Sequence, residues 1–364
     1  MPAVKHFDLV IIGGGPAGTA AAITAARSGA RVLVLEAKDF PRHKVCGEFV
    51  SAESLGVLAE LFRDSQPGRA LLNAAPVMRR ARLFLGARTV EAPVSPASVS
   101  ITRYDLDAAL WAAARLAGVE TQAHCEVTAI TGDGPFEART SSGVYRATAA
   151  VIAAGRWSQF TPDRGMPSGP RWIGVKGHFR EKNPSASTDL YFFDHGYCGV
   201  QPVSGDTVNA CAMVRSDRAT SLPDVFALHP RLSERAAEWE AVMSPVSTAP
   251  LIYRQPQPVQ GNRFLAGDAA AFIDPFVGDG ISIALRSGRV AARSLSSFFR
   301  GEATLADCVS RYEQEYTREF GPLLSAASRV RSLLSLPVVA RAAVFELLRI
   351  PGLMPLMIRK TRRA

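Results

Sequence analysis

The 364-residue chain has only five cysteines, Cys46, Cys125, Cys198, Cys211 and Cys308, and no two are spaced as CxxC. That scarcity argues against a disulfide framework and a zinc site, so most of these thiols are expected to be small buried hydrophobes. No run of about eighteen uncharged apolar residues occurs, so no membrane-spanning helix is expected. Ahead of Phe7–Ile12 there is no charged stretch followed by a small-residue cleavage pattern. No secretory signal is therefore expected, and the expected compartment is the cytoplasm. Internal repeats and low-complexity linkers are also missing.

Acidic residues are sparse at one end only. The whole chain carries 42 Lys and Arg against 33 Asp and Glu, a formal charge of +9. From Gly321 to Ala364 the basic residues are Arg329, Arg331, Arg341, Arg349, Arg359, Lys360, Arg362 and Arg363, and the one acid is Glu346. The remainder is close to balance, so no nucleic-acid partner is expected. Two readings of the basic end stay open. Its leucine-rich helices could lie on an anionic membrane as a peripheral contact, or pack on the protein with their arginines in water.

The apolar patterning predicts an α/β chain, α+β overall. Phe7–Ile12 and Arg31–Leu35 read as buried parallel strands flanking an alanine-rich helix over Pro16–Ser28. Helices are expected over Ser51–Phe62 and Tyr104–Ala117, with a hairpin of Ala81–Leu85 and Arg88–Ala92 turning at Gly86. Short strands are expected at Glu126–Ile130, Phe136–Thr140, Val144–Thr148 and Ala150–Ala154. Longer ones follow at Trp172–Arg180, Thr188–Phe193, Gly199–Val203 and Val208–Val214. Tyr191, Phe192, Phe193 and Tyr197 either line a ligand or fill a core. Helices Leu222–Leu228 and Arg231–Met243, a strand Arg263–Ala266, and a helical remainder from Gly280 broken near Pro337 and Pro351 complete the chain.

Gly13-Gly14-Gly15-Pro16-Ala17-Gly18 is a GxGxxG loop between a predicted strand and helix. Gly13 permits the tight turn, Gly15 lets backbone approach a pyrophosphate, and Gly18 lets helix and strand pack closely. Glu36, ending the second strand, suits a ribose 2′-hydroxyl and would repel a 2′-phosphate. Late in the chain, an apolar strand runs into Gly267-Asp268-Ala269, whose aspartate can accept from ribityl hydroxyls. Asp274-Pro275-Phe276-Val277-Gly278-Asp279-Gly280-Ile281 then opens a helix whose N–H groups suit the negative charge of a reduced flavin. These segments point to FAD.

With both motifs in order over roughly residues 7–300, the chain resembles the FAD-dependent family of aromatic hydroxylases, tryptophan halogenases and geranylgeranyl reductases. The resemblance implies a Rossmann-type FAD-binding domain (1–75, 100–165, 260–300) interleaved with an antiparallel-sheet substrate domain (76–99, 166–259) and a helical C-terminus (301–364). It implies that Arg103 reaches the phosphate or ribose side of the cofactor, though Arg103 could instead be an ordinary surface residue. Val127 would hold the adenine by its backbone, and Ala154-Gly155 would lie near the adenosine half. Arg42-His43-Lys44-Val45-Cys46-Gly47 is similar to the Lys-x-Cys-Gly segment of the reductases, which lies beside the flavin ring. Cys46 could tune the flavin, contact substrate or exchange electrons, or it could be inert. Arg42 and Lys44 are expected to lower its pKa if they lie near. Tyr197-Cys198-Gly199-Val200-Gln201-Pro202 only partly echoes the reductases' aromatic motif, and the halogenase Trp-x-Trp and lysine patterns are missing.

The cofactor residues expected are thus Gly13, Gly15, Pro16, Ala17, Gly18, Glu36, Ala37, Arg42, Cys46, Gly47, Arg103, Val127, Ala154, Gly155, Gly267, Asp268, Pro275, Gly278, Asp279, Gly280 and Ile281. Cys46 is the catalytic candidate, and no metal ligand set is present. His178, His195 and Tyr197 are weaker acid–base candidates. The resemblance implies a geranylgeranyl reductase-like oxidoreductase exchanging hydride between flavin N5 and a hydrophobic small molecule. NAD(P)H would be a transient reductant, since no second GxGxxG occurs. A monooxygenase working through a C4a-hydroperoxide and a non-catalytic flavin carrier are the alternatives.

Overall fold

A computed structural model describes residues 5–156, 159–160, 169–248, 250–253, 255–272, 278–334 and 338–348. Strand β1 (His6–Ile12) leads through the glycine loop into α1 (Pro16–Arg27) and β2 (Val32–Leu35). Next come β3 (Phe49–Val50), α2 (Ala52–Leu61), α3 (Gln66–Ala74), the hairpin β4 (Val77–Leu85) and β5 (Arg88–Ser100), and α4 (Arg103–Leu116). Then follow β6 (Glu120–Gln122), β7 (Val127–Thr131), β8 (Phe136–Thr140) and β9 (Gly143–Ile152). The longer strands are β10 (Trp172–Arg180), β11 (Ser187–Phe193), β12 (Gly196–Ser204) and β13 (Thr207–Arg215). Helices α5 (Leu222–Ala227) and α6 (Pro230–Ala236) precede β14 (Glu240–Ala241), β15 (Val246–Thr248), β16 (Val259–Gln260) and β17 (Arg263–Leu265). The chain continues in α7 (Gly280–Phe299), α8 (Leu305–Leu334) and α9 (Val338–Leu348).

Two sheets result. The first runs β16-β17-β9-β1-β2-β6, with β7 and β8 beside β9, and β1 pairs in parallel with both β2 and β9. Leu9, Val10 and Ile11 are fully buried in it, because helices cover both faces of a parallel sheet. Alanine-rich α1 packs closely against α7. The second sheet runs β14-β10-β13-β12-β11-β4-β5-β3, largely antiparallel, with β11 and β4 parallel. One face is covered by α5 and α6 through Val175, Tyr191, Phe193, Val200 and Phe226. The other face looks toward the first sheet.

Two expectations are corrected. Val144–Thr148 and Ala150–Ala154 are one strand, β9, since no turn residue interrupts them; its first half pairs with β8 and its Arg146–Ile152 stretch with β1. The helix expected over Arg231–Met243 stops at Ala236, because Trp239 stacks on Phe179 and hydrogen-bonds Glu181, sending Glu240–Ala241 to the edge of β10. The helical remainder has a further break at Gly301, where φ is +72°, and Pro322 lies inside α8; α8 ends at Leu334 and α9 begins at Val338, in keeping with the break expected near Pro337. Pro337 and Pro351 lie outside the described residues. Six short elements, β3, α3, β6, β14, β15 and β16, had no expected counterpart. No described helix is long and apolar enough to cross a membrane.

Candidate active site

A cavity of about 880 Å³ opens between the glycine loop of the first sheet and the inward face of the second. At Gly13 φ is +105°, and a Cβ there would meet the Ala153 carbonyl oxygen at 2.4 Å. A Cβ on Gly18 would meet the Gly13 oxygen at 1.9 Å, so this glycine serves helix–strand packing and does not line the cavity. Gly14, the variable position of the loop, is also confined: a Cβ would reach Trp111 at 2.4 Å. Gly15 has open space, caps α1 without a side-chain bond, and lines the cavity with Pro16 and Ala17. The positive end of α1 therefore faces the cavity, as an anion requires.

Glu36 is buried, with its Oε2 accepting from Gly14 N–H at 2.8 Å. Its Oε1 accepts from Lys38 N–H and from Arg42, each at 2.9 Å. An ionised carboxylate has about four lone-pair sites, so Glu36 retains acceptor capacity at the cavity wall. Lys44, absent from the expected set, brings its Nζ within 3.9 Å of where a Gly15 Cβ would stand. Burial, then the charge of Arg103, pushes its ammonium down to about 8. Asp107, 4.0 Å away and shared with Arg103, and Glu36 pull the other way but do not offset this, so the cation is under-compensated. Asp268 lines the same wall, and burial raises its carboxyl against the pull of Arg156, Arg103 and Lys44. A glycine cradle, an open helix end and an under-compensated cation fit a dinucleotide diphosphate.

Of the other expected cofactor residues, Ala37, Arg42, Cys46, Gly47, Ala154, Gly155, Gly267, Gly278, Gly280 and Ile281 line the cavity. Arg103 lines it as a half-buried residue, and its guanidinium forms two 2.7 Å bonds to buried Asp107. Asp279 is buried at the start of α7 and stands behind the lining. Val127 is away from the cavity, and its carbonyl accepts from Gln159 at 2.9 Å. One lone pair of that carbonyl is therefore engaged outside the cavity. Pro275 lies outside the described residues.

Cys46 needs another correction. Burial raises its thiol; the cations opposing that are Arg103 and Lys176, while Arg42 and Lys44 do not lower it. Its Sγ accepts from Glu48 N–H at 3.3 Å. Glu48, at φ +61°, is fully buried. It accepts from Arg103 N–H at 2.8 Å, from His178 Nε2 at 2.8 Å, and from Lys176. Burial favours the neutral acid, but the His178 hydrogen bond and the Lys176 charge outweigh it and hold Glu48 below its ordinary range. His195 occupies the β11–β12 turn away from the cavity, at φ +60°. Glu48 and Lys176 carried no sequence signal beyond their place in or opposite the Lys-x-Cys-Gly segment.

Strand alternation sorts the inward face into three rows. The first holds His178, Asn209, Gln201 and Thr188; the second Lys176, Cys211, Gly199, Leu190 and Leu83; the third Gly174, Met213, Tyr197, Phe192 and Leu85. The polar row is tied down: Asn209 donates to the Cys46 carbonyl at 3.1 Å and Gln201 to Ser100 at 2.7 Å. The third row is apolar, and Leu251, Phe272, Val344 and Phe345 close the cavity around it. Thus Phe192 and Tyr197 face the cavity, while Tyr191 and Phe193 belong to the helix-covered core. On α9, Arg341 pairs with Asp194 and donates to the Phe193 carbonyl at 3.1 Å. That cation is engaged within the protein; Arg349 and the basic residues after it lie outside the described residues.

Two family models, each for FAD dependent oxidoreductases, match residues 8–56 and 41–293. A menaquinone reductase of Mycolicibacterium smegmatis is 27% identical, covering 91% of this chain and 85% of its own. A digeranylgeranylglycerophospholipid reductase of Methanopyrus kandleri is 26% identical over 91% of this chain and 87% of its own. The solved flavin-dependent brominase Bmp2 superposes with a TM-score of 0.81 at 22% identity, over 98% of this chain and 93% of that one. That likeness establishes the shared fold.

Proposed function

This chain belongs to the FAD dependent oxidoreductase family, and on that premise we propose that it reduces or dehydrogenates an apolar small molecule, as the reductase branch does. FAD supplies hydride exchange at N5 of its ring. Gly15, the open end of α1 and Lys44 receive the diphosphate, while Glu36 accepts from a ribose hydroxyl. Gly199, where a Cβ would first meet the Leu190 side chain at 3.3 Å, keeps the sheet floor low for a flat ring to approach, while Gly174 is packed under Val45. The apolar row then holds the substrate against that ring, and its burial excludes water.

The observation carrying this reading is the third row. Leu85, Phe192, Tyr197 and Met213, with Phe272 and Phe345 opposite, offer contact area and no charged anchor of their own. A transient NAD(P)H is the reductant this reading assigns, since the chain's single GxGxxG loop is taken by FAD. The basic C-terminal residues would bring the protein to an anionic membrane where such substrates reside, which co-sedimentation with anionic vesicles at low salt tests.

The decisive experiment is anaerobic. Holoprotein reduced by NADH or NADPH is mixed with a prenylated quinone or a polyprenyl alkene. Reoxidation of the flavin without oxygen, with two hydrogens gained by the substrate, is expected. Turnover that requires oxygen and yields a hydroxylated product would overturn the proposal.

A further inference from the structure

The buried cluster around Glu48 has no part in the binding roles above. Lys176 and Glu48 are both fully buried, and His178 is nearly so. Lys176 and Glu48 cancel, so the cluster is electrically neutral while His178 is neutral. A carboxylate only accepts, so His178 Nε2 carries the hydrogen in its 2.8 Å contact with Glu48 Oε2. Nδ1 is then the free acceptor of that ring. His43 meets the His178 ring edge-on, with centroids 5.3 Å apart, and its other neighbour is Tyr104 at 4.8 Å. Tyr104 is exposed, and His43 is half-buried. Buried His43 Nδ1 has no protein partner; a water is the partner such an atom takes. From the other side, Glu48 lines the cavity together with Cys46 and Cys211.

We propose that His43 and His178 form a proton path from solvent to the Glu48–Lys176 pair at the cavity wall, and that His178 takes up a proton when the group in the cavity is reduced. The inference rests on the flavin part of the proposed function and is independent of the substrate. Two electrons from a two-electron donor and one proton, taken up by a bound flavin, would leave one added negative charge in the cavity, and a second proton is needed to balance it. A solvent proton passes along His43 and forms an N–H bond on His178 Nδ1, giving an imidazolium that meets the added negative charge. Glu48 is already in place to accept from that imidazolium, and Lys176 keeps Glu48 ionised and oriented.

The charged and titratable neighbours are consistent with this direction. Glu48 faces His178 from the loop and Asn209 from β13; Lys176 of the same strand and the Arg103 N–H reach it through Glu48, Cys46 stands beside Glu48, and Asp105 of α4 acts on His43. Burial, then the charges of Lys176 and His178, lowers His43. A neutral His43 can both accept and release a proton at physiological pH.

The test measures proton uptake. Holoprotein is reduced with dithionite in weakly buffered solution near neutral pH, and an indicator dye reports the protons consumed per flavin. His178→Gln keeps an N–H donor for Glu48 but cannot titrate; it should lower the uptake by a large part of one proton. His43→Phe keeps a ring on Tyr104; it should leave the final uptake unchanged and slow its appearance by about tenfold or more. Equal uptake in wild type and His178→Gln, at every pH from about 6 to 8, overturns the inference and leaves the flavoenzyme reading standing. A protein that binds no flavin overturns both.

Discussion

Gly288 sits in the middle of α7, where a Cβ would meet the Ala17 carbonyl oxygen at 2.1 Å and the Ala17 Cα at 3.2 Å. In an exposed helix a Gly→Ala change gains up to about 1 kcal/mol. Here the new methyl must push α7 off α1, an overpacking cost of about 1–3 kcal/mol. Gly288→Ala should therefore lower the denaturant midpoint, and a raised midpoint would refute the close approach. The first glycine loop was legible because its spacing is a pattern. Gly288 was not, since a lone glycine in a helical run carries no period. Glu48 and Lys176 escaped for a related reason: a single charged residue near a strand reads as a solvated one until its partners are known.

Lys44 gives a pH test with two opposite signs. Its ammonium lies near 8 in the folded chain against 10.5 for an ordinary lysine. Between those values the unfolded chain binds more protons, so the stability of the FAD-free protein should rise with pH across that window. FAD affinity should fall across the same window, because the diphosphate favours protonated Lys44 and binding above pH 8 must take up a proton. Lys44→Met should flatten both profiles. Fluorescence titration of FAD and urea melts from neutral to alkaline pH would check it; a wild-type affinity insensitive to pH above 8 would place the diphosphate elsewhere.

At the scale of elements, period-two alternation let the long strands be read, and the hairpin at Gly86 declared itself through its turn. What the pattern could not give was which face of β10–β13 meets a ligand, since both faces are apolar enough to be buried. The answer depends on α5 and α6, which cover the Val175–Tyr191–Phe193 side. Under that cover runs an ionic chain. Arg82 forms 2.7 and 2.5 Å bonds to buried Asp189, and Arg235 bonds Asp189 at 2.6 Å and Glu181 at 3.0 Å. Asp189→Asn would leave two arginines facing each other with a neutral amide between them. Removing one partner of a buried ionic set costs about 3–5 kcal/mol. Urea unfolding should show a loss of that order, because α6 is held to the sheet through Arg235. A loss below about 1 kcal/mol would mean that solvent already screens the cluster.

On the scale of the whole molecule, the cavity belongs to neither sheet alone. The segment from Glu36 to Val50 leaves β2 of the first sheet, passes Arg42, Lys44, Cys46 and Glu48 along the cavity, and joins the second sheet where Phe49 and Val50 pair with β5. Gly174 of β10 is held close to that segment, since a Cβ there would meet Val45 at 2.8 Å. A dinucleotide anchored at Gly15 with its ring over Gly199 and beside the Val45–Gly174 contact would bridge both sheets. At a free concentration about a hundredfold above its Kd, such a ligand stabilises the folded state by about 2.7 kcal/mol. Because it touches both sheets, that gain should appear in both. Hydrogen exchange should slow in His6–Ile12 and in Trp172–Arg180 together on adding FAD, and thermal unfolding should remain a single transition at higher temperature. Protection confined to the first sheet would mean that the ring stops short of β10. The row of Phe192, Tyr197 and Met213 would then have no reacting group to hold a substrate against, and the apolar-substrate proposal would fall with it.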